Sequence, residues 1–125
     1  MKTSKEYLAE ANAVVEKVTL DQALKKHGVD NSVFVDVRDS GDILQTGTVA
    51  GALRVSRGFI EFAADDNTPY HNPKLTRDAN LYVLCAAGGQ AALAGKTLID
   101  MGYNNVYNIG GFGAWKEAGG PVEAG

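Results

Sequence analysis

Between Lys5 and Val18 the apolar residues Leu8, Ala11, Val14 or Val15 and Val18 recur at three- and four-residue steps, with Glu10, Glu16 and Lys17 among them. That period lines one face of a helix, so the spacing predicts an amphipathic helix over 5–18. Thr19-Leu20-Asp21-Gln22 has the Thr-x-x-Gln form of a capping box, and Lys25-Lys26-His27-Gly28 carries the basic residues and glycine of a helix end. A second, short helix is therefore expected. Val33–Val37 and Leu81–Cys85 are compact runs rich in β-branched, aromatic and other apolar residues, short and hydrophobic enough to be buried parallel strands, and Val106–Ile109 makes a third strand. Between the last two, Ala91, Ala94, Leu98 and Met101 share a helical face that stops at Gly102. With about 20 residues and a helix separating them, those strands fit a right-handed crossover in a parallel sheet. Asp65–Pro73 is dense in turn formers and reads as an exposed loop. The pattern is that of one α/β domain over residues 1–125, preceded within it by a helical extension at 1–18.

Composition supports a packed domain. The chain is 45% hydrophobic and 22% charged, which sets disordered and disulfide-scaffold classes aside. Its net charge of -3 and scattered Lys and Arg provide no basic stripe, so no nucleic-acid partner is expected. No segment approaches the roughly 20 apolar residues of a membrane span, and no leader-like run follows Met1. A cytoplasmic location without a membrane partner is the expectation. Cys85 is the single cysteine, which fits a reducing compartment. One cysteine and the dispersed His27 and His71 lack metal-ligand spacing, so no metal is expected.

The chemistry concentrates at Cys85-Ala86-Ala87-Gly88-Gly89-Gln90, where a strand gives way to small residues and then to a helix. Small residues let the chain curl tightly, so successive N–H groups can face one spot, and the helix N-terminus adds partial positive charge. Such a cradle favours an anion, and a thiolate is the nucleophilic form of cysteine. The same donors would hold the terminal charge of a persulfide on Cys85. The competing expectation is a buried, inert thiol, since free cysteine is among the most buried residue types. A Cys-His pair with His71 would require the polar loop to fold over the site.

Several segments together resemble the rhodanese family. These are Val35-Asp36-Val37-Arg38, Val49-Ala50-Gly51-Ala52, the Cys85–Gln90 loop, Met101-Gly102-Tyr103, and Gly110-Gly111 followed by Trp115 and Gly120-Pro121. The resemblance implies a rhodanese-like, five-stranded, mainly parallel sheet flanked by helices. It implies a sulfurtransferase that moves sulfane sulfur from thiosulfate, polysulfide or a persulfide through Cys85 to a thiol, cyanide or a protein acceptor, with no metal or organic cofactor. Residues 86–90 would bind substrate: Ala86, Ala87, Gly88, Gly89 and Gln90. Many active members end this loop with arginine, and this chain has Gln90 instead. A charge-assisted hydrogen bond contributes about 1.5–3 kcal/mol against about 1 kcal/mol for a neutral one, so affinity for a dianion such as thiosulfate should fall about tenfold.

Two other arginines are candidates for the missing charge. Arg57, in a segment similar to the Ser-Arg-Gly of single-domain members that handle polysulfide, ranks above Arg38; the competing role for each is an ordinary ion pair, Arg57 with Glu61 and Arg38 with Asp39 or Asp42. Trp115 and Phe112 read as core. The alternatives to an enzyme of sulfur transfer are a non-catalytic binding or regulatory module and, from related folds, a cysteine phosphatase or arsenate reductase. The last two commonly need a loop one residue longer that ends in arginine, and at that position this chain has Ala91.

Overall fold

In the computed structural model, which describes residues 1–125, helix α1 (Ser4–Val14) leads into strand β1 (Glu16–Lys17), followed by α2 (Leu20–Lys26), β2 (Ser32–Asp36) and α3 (Ser40–Thr46). Short strands β3 (Thr48–Val49) and β4 (Leu53–Arg54) come next, then a 3₁₀ turn (Arg57–Phe59) that runs into α4 (Ile60–Ala64). The second half alternates strictly: β5 (Asn80–Cys85), α5 (Gly89–Asp100), β6 (Asn105–Gly111), α6 (Phe112–Glu117) and β7 (Val122–Glu123). The main sheet has the order β1-β6-β5-β2-β4 with every pair parallel, while β3 and β7 form a small antiparallel ribbon. This is the five-stranded α/β architecture that the sequence resemblance implied. No helix is long and apolar enough to cross a membrane.

Local chemistry explains most boundaries. Thr19 Oγ1 accepts from the Gln22 N–H at 3.1 Å and Gln22 Oε1 accepts from the Thr19 N–H at 2.9 Å, the reciprocal cap expected for α2. A second such box, Thr3 with Glu6, starts α1. The first helix does not reach Val18. Val15 turns extended (φ −91°, ψ 120°) and buries itself, after which Glu16 and Lys17 pair with Tyr107 and Asn108 as an edge strand. The N-terminal extension is thus a helix and a strand. Val15 packs over Gly95 of α5, where an added Cβ would come within 3.0 Å of Val15 Cγ1.

The sheet is covered on both faces. Val35, Val83, Cys85, Ala91, Ala94 and Leu98 belong to the core on the α5 side, and Phe34, Leu84, Ile109, Phe112 and Trp115 to the core on the opposite side. Burial on both faces is why β2 and β5 carry apolar runs rather than alternation. Phe112 and Trp115 are core residues, as expected, and Trp115 Nε1 donates to Pro121 O at 2.9 Å.

The C-terminal end of β2 holds a buried ion pair. Asp36 accepts from the Arg38 N–H, Nε and Nη2 and from Thr48 Oγ1 at 2.8–3.2 Å, and Arg38 donates further to Thr46 Oγ1 and Gly47 O. The guanidinium also lies 4.7 Å from the Phe112 ring centroid. Its partner is Asp36 and not Asp39 or Asp42. An uncompensated buried charge is costly, so Asp36→Ala, which strands Arg38, should lose about 3–5 kcal/mol of stability in urea denaturation; a loss below about 1 kcal/mol would contradict this account.

Candidate active site

Cys85 is the last residue of β5, the central strand of the sheet, and its side chain is only 2% exposed. The chain then leaves the sheet through exposed Ala86 and Ala87 and reverses at Gly88, whose left-handed conformation (φ 99°, ψ −14°) favours glycine. Helix α5 begins at the next residue. The result is that Sγ accepts the Gly88 N–H at 3.0 Å and the Ala91 N–H at 3.4 Å. The N–H groups of Gly89 and Gln90 lie in the first turn of α5, where helix geometry offers no intrahelical acceptor. Those of Ala86 and Ala87 have no hydrogen-bond partner in the chain. A buried sulfur with main-chain donors directed at it is a site suited to negative charge, to which the N-terminal end of α5 contributes. Cys85 is buried among core residues, as the competing expectation has it, and two main-chain N–H groups are directed at its sulfur as well.

The loop rests on the end of β6. A Cβ at Gly111 would collide with the Ala86 carbonyl, a main-chain group that cannot yield as a flexible side chain does. Asn108 Nδ2 donates to Gly88 O at 2.9 Å, and Asn108 Oδ1 accepts from the Gly110 N–H at 2.9 Å. Asn108 escaped the sequence reading. Its signal was a polar residue inside the apolar run Val106–Ile109, two positions from buried Val106 and hence on the same face of the strand.

The other candidate side chains make no hydrogen bond to the sulfur, whose partners are the Gly88 and Ala91 N–H groups. Arg57 pairs with Glu61 at 3.4 Å and donates to Thr97 Oγ1 at 3.2 Å. Thr97 follows Gln90 by seven residues, about 10 Å along a helix rising 1.5 Å per residue. Arg38 is consumed by its pair with Asp36. Gln90 is exposed and makes no side-chain hydrogen bond within the chain. His71 Nε2 lies 3.1 Å from Leu75 O, and His27 Nε2 lies 2.7 Å from Ala50 O, so neither imidazole is paired with Cys85.

Of two hollows in the surface, one borders the loop and the other does not. The first, about 330 Å³, is bounded by Ala87, Gly88 and Gly89 with Leu8, Lys17 and Asn108, and Lys17 is its one charged side chain. The second, about 870 Å³, lies beyond β2 and β4 and is lined by Arg38, Arg54, Val55, Ser56 and Phe59 among others.

Residues 18–118 match the family model of the rhodanese-like domain. The thiosulfate sulfurtransferase GlpE of Actinobacillus succinogenes is 28% identical over 108 residues, covering 86% of this chain and 89% of that protein. An adenylyltransferase and sulfurtransferase of Candida albicans is 34% identical over 97 residues, which are 77% of this chain but only 21% of that longer protein. Among solved structures, a Rhodopseudomonas palustris protein of unknown function, described as a possible tyrosine phosphatase, is 40% identical with a TM-score of 0.92, covering 98% of this chain and 96% of that one.

The contact between β6 and the loop is open to test. Gly111→Ala should displace the Ala86 carbonyl, lowering stability by about 1–3 kcal/mol as overpacking does and slowing iodoacetamide alkylation of Cys85. Wild-type alkylation in the folded variant would refute the dependence of the loop on this close approach.

Proposed function

Since the chain belongs to the rhodanese-like domain family, we propose that it is a sulfurtransferase in which Cys85 carries a sulfur atom between a donor and a thiophilic acceptor. The observation that carries this reading is the convergence of the Gly88 and Ala91 N–H groups on Sγ. In the first half-reaction the Cys85 thiolate attacks the outer sulfur of a donor. A new S–S bond forms, the donor's own S–S bond breaks, and its electron pair leaves on sulfite or on a shortened polysulfide. The negative charge then sits on the terminal persulfide sulfur, which the amides of residues 86–91 can solvate without reorganising. In the second half-reaction cyanide or an acceptor thiolate takes that sulfur, and the bonding pair returns to Sγ.

The donor class follows from charge. With glutamine at position 90, the loop has main-chain dipoles but no guanidinium of its own, which favours a polysulfide or persulfide over the dianion thiosulfate. Arg57 is the arginine able to assist: its pair with Glu61 is partly solvated and weak, of the class contributing about 0–1 kcal/mol. Arg38 has no such freedom, because leaving Asp36 would bury two uncompensated charges. Phosphatase chemistry, suggested by the description of the Rhodopseudomonas protein, calls for a fixed cation on the transferred group, and neither Gln90 nor Ala91 supplies one.

Intact-mass measurement after incubation with thiosulfate or polysulfide should show one added sulfur on wild type, removed by cyanide and absent in Cys85→Ser. Failure of both donors would leave a binding module as the better reading. Gln90→Arg should raise thiosulfate use about tenfold relative to polysulfide use, from the difference between charged and neutral donors; an unchanged ratio would overturn the role given to this position.

A further inference from the structure

We propose that Asn108 is a positioning residue for the sulfur-binding loop: by tying the Gly88 carbonyl to β6 it anchors the residue whose N–H, on the other side of the Gly88 Cα, is aimed at Sγ. The purpose assigned to it rests on the sulfur-transfer reading above, although its test does not.

Asn108 is 4% exposed, so an unpaired amide there would pay a desolvation penalty and both ends need partners. They are the Gly88 carbonyl for Nδ2 and the Gly110 N–H for Oδ1, each at 2.9 Å. One donor meets an acceptor and one acceptor meets a donor, which fixes the orientation of the amide: turned over, it would set like groups against each other at both ends. The Gly88 carbonyl also receives the Ala92 N–H at 3.0 Å. Helix α5 therefore satisfies that oxygen unaided, and what Asn108 adds is a connection to the sheet. Gly88 needs one. It sits in a left-handed conformation without a Cβ to limit rotation, and its N–H is the shorter of the two bonds to Sγ. The path from β6 to the sulfur thus runs from the Gly110 N–H through the Asn108 side chain to the Gly88 carbonyl, and across the Gly88 Cα to the N–H that faces Sγ.

The decisive measurement is the pH profile of Cys85 alkylation in Asn108→Ala and Asn108→Asp, each checked for cooperative unfolding. Asn108→Ala removes both bonds; Asn108→Asp keeps the volume and the acceptor for Gly110 but sets an oxygen against the Gly88 carbonyl. Both profiles should move to higher pH, with alkylation at neutral pH and sulfur loading from polysulfide each falling tenfold or more. A folded variant with the wild-type profile would overturn the proposal, as would failure of both variants to fold, which would mark Asn108 as purely structural. A wild type that alkylates readily yet never loads sulfur would instead refute the sulfur-transfer reading, leaving the comparison of profiles to decide the role of Asn108.

Discussion

A sulfur atom shielded from water takes its polar partners from the protein, and here they are main-chain N–H groups. Gly88 and Ala91 direct their N–H groups at Sγ from the two sides of a helix start. That arrangement depends on three features of the fold at once: a strand that ends at residue 85, a glycine that reverses the chain, and a helix whose first turn begins immediately afterwards. The small side chains at 86–89 are the other half of the same constraint, since the loop must curl tightly over the strand end.

The two strongest electrostatic features are kept separate. At the end of β2 a full ion pair is buried, with hydrogen bonds to Asp36 from both Arg38 and Thr48, and no buried side-chain polar atom in the chain lacks a partner. At the end of β5, the strand paired with β2, two main-chain N–H groups face the sulfur. Fixed charge thus sits at the end of β2, and main-chain dipoles at the end of β5.

The elements legible in the sequence were those with either a strong period or a local chemical signature. α5 declared itself through Ala91, Ala94 and Leu98, β2 and β5 through their apolar runs, and α2 through the Thr19–Gln22 box. β1 did not, because two exposed residues carry no period and Val15 and Val18 continue the helical spacing of α1. α3 and α4 span seven and five residues, too few for a face to repeat. The cysteine loop was visible as a strand–glycine–helix transition. Its support from Asn108, and the partners of Arg38 and Arg57, depend on contacts between distant segments or on side-chain direction. Asp36 is only two residues from Arg38, yet their pairing requires the chain to bend at the strand end, which spacing alone does not disclose.

The stretch that matches the family begins at residue 18, but the molecule does not divide there. Leu8 lies over Gly89, where an added Cβ would stand 3.6 Å from Leu8 Cδ2, and Lys17 shares a hollow with the loop. The wall beside the cradle and the cradle itself are therefore written in separate parts of the chain. Changes in the first seventeen residues can alter the shape and charge of that wall while every bond to the sulfur is retained, a division that lets the surroundings of the loop diverge without disturbing what it holds.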